Sequence, residues 1–299
     1  MSTLARCQSA CARGIDGLPT EVEVHQRNAN PLLDIVGLPD AAGREARQRI
    51  RSAIANSGYP FPDGRVTVNL APADAPKSGA GHDLAIAVCI LAAVGVVPAG
   101  VAGRVLIFGE LALDGRVRPV RGAFLLATTA RPRGLRQILA PRANALEAAL
   151  AADVPVVAVD TLPDAVLHLA GIRRLAPVAA QPAGTSATRA GRDCADVRGQ
   201  ETVKRALVVA AAGRHNLLMT GPPGCGKTLL ARRFPDLLPA LSREEALDVA
   251  RLRSAAGLPV DGLPSRRPFR APSSGASAAG VLGGGTPPRP GERKFQPRR

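Results

Sequence analysis

The octapeptide Gly221-Pro222-Pro223-Gly224-Cys225-Gly226-Lys227-Thr228 constrains this chain more than any other stretch. It matches G-x-x-x-x-G-K-[ST] without a mismatch. Ahead of it, Asn216 to Thr220 reads as a short apolar strand, and behind it Leu229 to Phe234 reads as the start of a helix. Strand, glycine loop and helix N-terminus in that order form a phosphate-binding site. The glycines let backbone N–H groups turn inward with no Cβ in the way. All eight residues, Gly221 through Thr228, are thereby assigned to a nucleotide, expected to be ATP with Mg²⁺. Lys227 is placed on the β- and γ-phosphate oxygens, and the Thr228 hydroxyl on the metal.

A chain of 299 residues suggests about two domains. Hydrophobic residues make up 46%, enough for packed cores, but aromatics are only 2%, so those cores are built from Ala, Val and Leu. So few aromatics also argues against recognition of single strands by base stacking. The net charge of +15 is carried almost wholly by arginine. It suits a polyanionic partner and predicts sequence-independent, salt-sensitive contact with DNA. Part of it sits at the C-terminus, where Pro264 to Arg299 carries eight Lys or Arg against one Glu, a net +7. Cys7, Cys11, Cys89, Cys194 and Cys225 form no metal-ligand pattern, and with no secretory signal they fit a reducing cytoplasm. Leu84 to Gly103 runs 20 residues without a charge, yet Gly95, Pro98, Gly100 and Gly103 break it. It reads as a buried helix over 84–94 followed by a loop, and no membrane span is expected.

In chain order, Glu21 to His25 and Leu32 to Val36 read as strands, and Asp40 caps a helix to about Asn56. Arg44, Arg47 and Arg51 fall on one side of that helix, opposite Ala46, Ile50 and Ile54, so that side is either a nucleic-acid contact or a solvated face. Further strands are expected over 65–70, 105–113, 116–120, 135–140 and 154–159, with a hairpin turn at Asp114-Gly115. Helices are expected over 122–131, 143–152 and 163–170. Residues 1–171 therefore form one α/β domain, and 172–195, rich in Ala, Pro, Gly and Ser, form a linker. A second domain over 196–282 carries helix 201–212, the phosphate loop, and a helix beginning at Ser242 with Glu245 three residues on. Residues 283–299 read as a disordered basic tail.

The order of several motifs resembles the Mg-chelatase-like AAA+ ATPases of the YifB/ComM type. They are Val36-Gly37-Leu38-Pro39, Asn69 to Asp74, Pro76-Lys77, Asp83 to Ala87 and Gly109 to Gly115, then Gly199-Gln200, His215 to Leu218 and Arg267 to Pro272. The resemblance runs to about Glu292. It implies an N-terminal Lon-protease-like (ribosomal S5 domain 2-like) α+β domain followed by the start of a P-loop AAA+ α/β domain. It also implies an ATP-binding protein whose full-length form is a hexameric DNA-processing ATPase or helicase motor. Relatives that insert Mg²⁺ into porphyrin supply an alternative role as a Mg-chelatase subunit.

The same resemblance marks departures. In the Lon pattern Gly81 takes the nucleophile position, and the dyad lysine falls near Phe124 to Leu126, so the N-terminal domain is expected to be a non-catalytic scaffold. After the phosphate loop, an AAA+ domain needs an apolar strand ending Asp-Glu, and none occurs between Leu229 and Arg299. Sensor and arginine-finger residues are missing too. The chain therefore reads as a family member cut short before that strand, or as a fragment, with little or no ATP turnover.

Overall fold

In the computed structural model, residues 3–73, 77, 79–179, 193–273, 275–284 and 289–291 are described. The chain falls into two compact units, one of residues 1–181 with 253–261, the other of residues 182–252 with 262–299.

The first unit is built on strands β1 (Thr3–Arg13), β2 (Asp16–Arg27), β3 (Leu32–Val36), β4 (Arg65–Ala71), β5 (Val105–Ile107), β6 (Glu110–Leu111), β7 (Val117–Arg118), β8 (Gln137–Pro141) and β9 (Val156–Val159). Its helices are α1 (Asp40–Asn56), α2 (Asp83–Ala93), α3 (Ala99–Ala102), α4 (Ala123–Ala127), α5 (Arg142–Ala151) and α6 (Leu162–Leu169). Among the described residues, the main sheet has seven strands in the order β3-β4-β2-β1-β5-β8-β9. β2 is antiparallel to both its neighbours, and the other four pairings are parallel. The mixed α/β architecture expected from the sequence is present, with a mostly parallel central sheet.

β1 is central to this sheet and was not expected. Its sequence, Thr-Leu-Ala-Arg-Cys-Gln-Ser-Ala-Cys-Ala-Arg, is poor in the β-branched and aromatic residues that mark a strand. Pairing makes it one: β1 and β2 are in register from Thr3 opposite Gln26 to Arg13 opposite Asp16. The strand expected over 105–113 splits at Ile107, where the chain leaves the main sheet to form the β6–β7 hairpin around Asp114-Gly115.

α2 is buried along its whole length, from Asp83 to Ala93. A helix apolar all round is a core element, and this one is far shorter than the roughly 20 residues a bilayer needs. No helix among the described residues is long and apolar enough to cross a membrane. α1 packs Ala46, Ile50, Ala53 and Ile54 inward. It starts at Asp40 with Pro39, not Asp40, in the cap position. Its arginine side is partly engaged within the fold: Arg47 lies 3.7 Å from Asp34, and Arg51 sits over the Phe61 ring at 5.3 Å. After α6 the chain returns to β9, where Val178 N donates to Val156 O at 2.7 Å.

The second unit consists of helices α7 (Glu201–Gly213), α8 (Lys227–Leu237), α9 (Arg243–Ala255) and α10 (Ala278–Leu282), with a small pairing of β10 (Gly283–Gly284) and β11 (Arg289–Pro290). α9 opens on a reciprocal cap: Ser242 N donates to Glu245 Oε2 at 2.9 Å, and Glu245 N donates to Ser242 Oγ at 3.2 Å. The strand expected over 216–220 does not form. A strand exists through pairing, and no described strand of this unit lies beside it. Leu218 is left 88% exposed. The β10–β11 pair also replaces part of the tail expected to be structureless. Residues 285–288 and 292–299 of that tail, and 180–192 of the expected linker, lie outside the described residues.

Candidate functional site

The phosphate loop leads directly into α8, whose first residue is Lys227. Two features favour an anion there. Gly224 and Gly226 sit at φ +83° and +87°, where a residue with a Cβ is strained, and open space surrounds both. The helix start also leaves N–H groups without intrahelical partners. Lys227 turns back over the loop, its Nζ donating to the carbonyl oxygens of Gly221 and Pro222, each at 2.7 Å. The same ammonium lies 3.4 Å from Cys225 Sγ. Thr228 follows on the exposed first turn of α8. All eight sequence-assigned residues are thus contiguous around one helix N-terminus, and they fit a phosphate chain: free backbone donors, one cation and one hydroxyl.

A cavity of about 750 Å³ lies elsewhere in this unit. Leu207 and Ala211 of α7, Phe234 of α8, Met219 and Phe269 are among its walls, and none of the eight loop residues lines it. The Arg267–Glu245 ion pair, 2.9 Å long, stands at its edge. Sequence reading missed Arg233. This α8 residue is 8% exposed, and its Nε and Nη1 are buried without partners, while its Nη2 is 3.7 Å from Asp196. An arginine on a helix reads as solvated, so no sequence signal marks it.

The first unit holds a second polar cluster, at the segment resembling the Lon nucleophile loop. Lys77 is buried and donates to the Pro72 carbonyl. Ser9 Oγ lies 2.9 Å from His82 Nδ1, and His82 Nε2 is buried without a partner. Burial, with the Lys77 ammonium adding to it, pushes the His82 imidazole down to about 4, so it is neutral at physiological pH. Next to it, burial raises the Asp83 carboxyl to about 6 against the opposing pull of Arg49. Ser9 and His82 are 1% and 2% exposed, which closes this pair to substrate. Phe124, Leu125 and Leu126 are buried in α4 and supply no base. Ser78 lies outside the described residues.

Comparison with known proteins matches both units to one family. Residues 22–144 match the family described as subunit ChlI of Mg-chelatase, and residues 193–295 match magnesium chelatase, subunit ChlI. The chain belongs to the YifB/ComM-type Mg-chelatase-like family. It is 44% identical, over 97% of its length, to the uncharacterized protein YifB of Salmonella typhimurium. It is 41% identical, again over 97% of its length, to the competence protein ComM of Haemophilus influenzae. The YifB protein of Escherichia coli is 42% identical over the same share. The chain spans 57% to 58% of the length of these relatives.

Proposed function

We propose that this chain binds Mg·ATP at the Gly221–Thr228 loop and that, as part of a longer assembly, it serves an ATP-driven motor acting on DNA. The observation that carries this reading is the loop itself: two left-handed glycines and one lysine at the N-terminus of α8. Backbone N–H groups of the loop hold the phosphates, Lys227 exchanges its two carbonyl contacts for phosphate oxygens, and the Thr228 hydroxyl takes the metal. Mg²⁺, when bound, neutralises charge on the β- and γ-phosphates. The DNA part rests on the +15 charge and on the printed name of the competence relative. Homo-hexamer formation and a Lon-like first domain belong to the same reading, by family resemblance.

One observation favours a second reading for the chain acting alone. No described strand flanks residues 216–220, so among the described residues no Asp-Glu pair is set beside the loop to support the metal and polarise water. On that reading the chain acting alone binds nucleotide with little or no turnover. An arginine finger alone is worth about 10³–10⁵ in rate. A Mg-chelatase subunit is the less favoured alternative, because nothing described forms a porphyrin site.

The test is calorimetric titration of Mg·ATP into the full chain and into Lys227→Ala, with phosphate release measured in parallel. Binding lost in the variant supports the site, and release below detection supports the non-hydrolysing reading. Equal affinity in both proteins refutes the site. Lysine-dependent turnover refutes the non-hydrolysing reading.

A further inference from the structure

The arginine side of α1 is not the most available basic surface of the first unit. Register brings a different set together. Gln8 of β1 pairs with Leu106 of β5, and Val105 of β5 pairs with Gln137 of β8. Two residues before the first pair, and one before the second, Arg6, Arg104 and Arg136 come side by side across β1, β5 and β8. Arg136 N donates to Arg104 O at 2.9 Å, which confirms that the ladder reaches this level. Residues in register leave a sheet on the same face. With strands about 4.8 Å apart, the three arginines form a row roughly 10 Å long.

The turn that enters β8 adds Arg131 and Arg133 at the same end of the sheet. Carboxylates answer only some of these charges. Arg6 pairs with Glu23 at 3.0 Å, Arg133 lies 3.7 Å from Glu21, and Arg131 pairs with Asp153 at 2.6 Å. Arg104 and Arg136 are exposed, and neither guanidinium has a hydrogen bond or ion pair among the described residues. Two solvated guanidinium groups held about one strand spacing apart, beside three more, form a concentrated positive edge.

We infer that this edge, centred on Arg104 and Arg136, is a contact surface for the phosphate backbone of duplex DNA. Arginine is the side chain that best matches phosphate oxygens bidentately. A duplex carries one charge per about 1.7 Å of axis, so a 10 Å row meets several phosphates. Single strands are disfavoured, because the edge offers no exposed aromatic for base stacking: Phe108 and Phe124, the phenylalanines of this part of the chain, are buried. Nothing here reads base edges, so the contact is sequence-independent. The inference rests on the DNA part of the proposed function and not on nucleotide binding.

The experiment is fluorescence anisotropy of a fluorescein-labelled 30-base-pair duplex of arbitrary sequence with the full chain, over a salt series. Its variants are Arg104→Glu/Arg136→Glu and a control of equal charge change, Arg116→Glu/Arg142→Glu, at exposed arginines elsewhere. The expected result is a Kd at least tenfold weaker for the first variant, with its salt slope shallower by about 2, and a control within threefold of wild type. Thermal melts verify that both variants are folded. A first variant that binds like wild type, or a control weakened equally, overturns the surface while leaving DNA binding standing. A wild-type chain that does not bind the duplex overturns the DNA reading itself.

Discussion

Asp83 Oδ2 accepts a hydrogen bond from Arg49 Nε at 2.8 Å, tying the first residue of α2 to the middle of α1. Asp83 is 1% exposed, and its second oxygen lies 3.4 Å from Arg49 Nη2. The pair staples the two helices that close over the antiparallel half of the sheet. Arg49→Met leaves Asp83 buried without a cation. At pH 7.5 the expected loss is about 3 kcal/mol. Protonation of Asp83 removes the buried charge, so the loss shrinks toward pH 5. Urea unfolding of the variant and wild type at both pH values measures it. A loss independent of pH would show that the packing of the arginine stem, not the charge, is what matters.

His82 and Asp83 are neighbours whose titrations act on stability in opposite senses. The His82 imidazole is lowered to about 4, so its contribution is present above the unfolded value near 6.5 and is lost as pH falls from there to 4. The Asp83 carboxyl is raised to about 6, so its contribution is present below about 4 and is lost as pH rises to 6. Each spans on the order of 3 kcal/mol, and between pH 4 and 6 they nearly cancel. Wild-type stability is therefore expected to be flat across that window. Asp83→Asn exposes the histidine alone and gives stability that rises with pH, whereas His82→Gln gives stability that falls with pH. Melting temperatures at half-unit pH intervals test both slopes.

Gly226 is at φ +87°, with nothing within 4 Å of where a Cβ would be. Gly226→Ala introduces backbone strain and no clash, at a cost of about 1 kcal/mol. The loop escapes that strain by leaving the left-handed region, which turns its N–H groups away from the phosphates. Mg·ATP affinity is expected to fall at least tenfold with little change in melting temperature. Unchanged affinity would mean that the loop tolerates another path.

Arg233 buries two nitrogens without partners. Arg233→Met keeps the stem and removes the unsatisfied donors, and is expected to stabilise the second unit by about 1 kcal/mol. Differential scanning calorimetry of the full chain reads this. A lowered transition would assign the Arg233–Asp196 contact, 3.7 Å long, more weight than its length suggests.

Legibility from sequence followed how local the determinant was. The turn into α8 was legible because glycines, lysine and threonine at fixed spacing act within one turn of chain. The helices were legible to within a residue or two where an apolar stripe or a cap defined them: α1 from Ala46, Ile50 and Ile54, and α9 from Ser242 with Glu245. β1 was illegible, since alanine, serine and cysteine become a strand only when β2 and β5 flank them. The arginine row was illegible for the same reason, because Arg6, Arg104 and Arg136 lie far apart in the chain.

By itself, then, the sequence determined the α/β character, the glycine turn that opens α8 at Lys227, and the burial of the uncharged run that became α2. Each rests on short-range periodicity or on backbone freedom at named glycines. The tertiary structure alone decided that Asn216 to Thr220 does not become a strand, that Lys77, His82 and Asp83 turn inward, and which arginines stay unpaired. Strand pairing, desolvation and ion pairing all depend on which distant segment lies alongside, and composition and spacing along one chain carry no record of that.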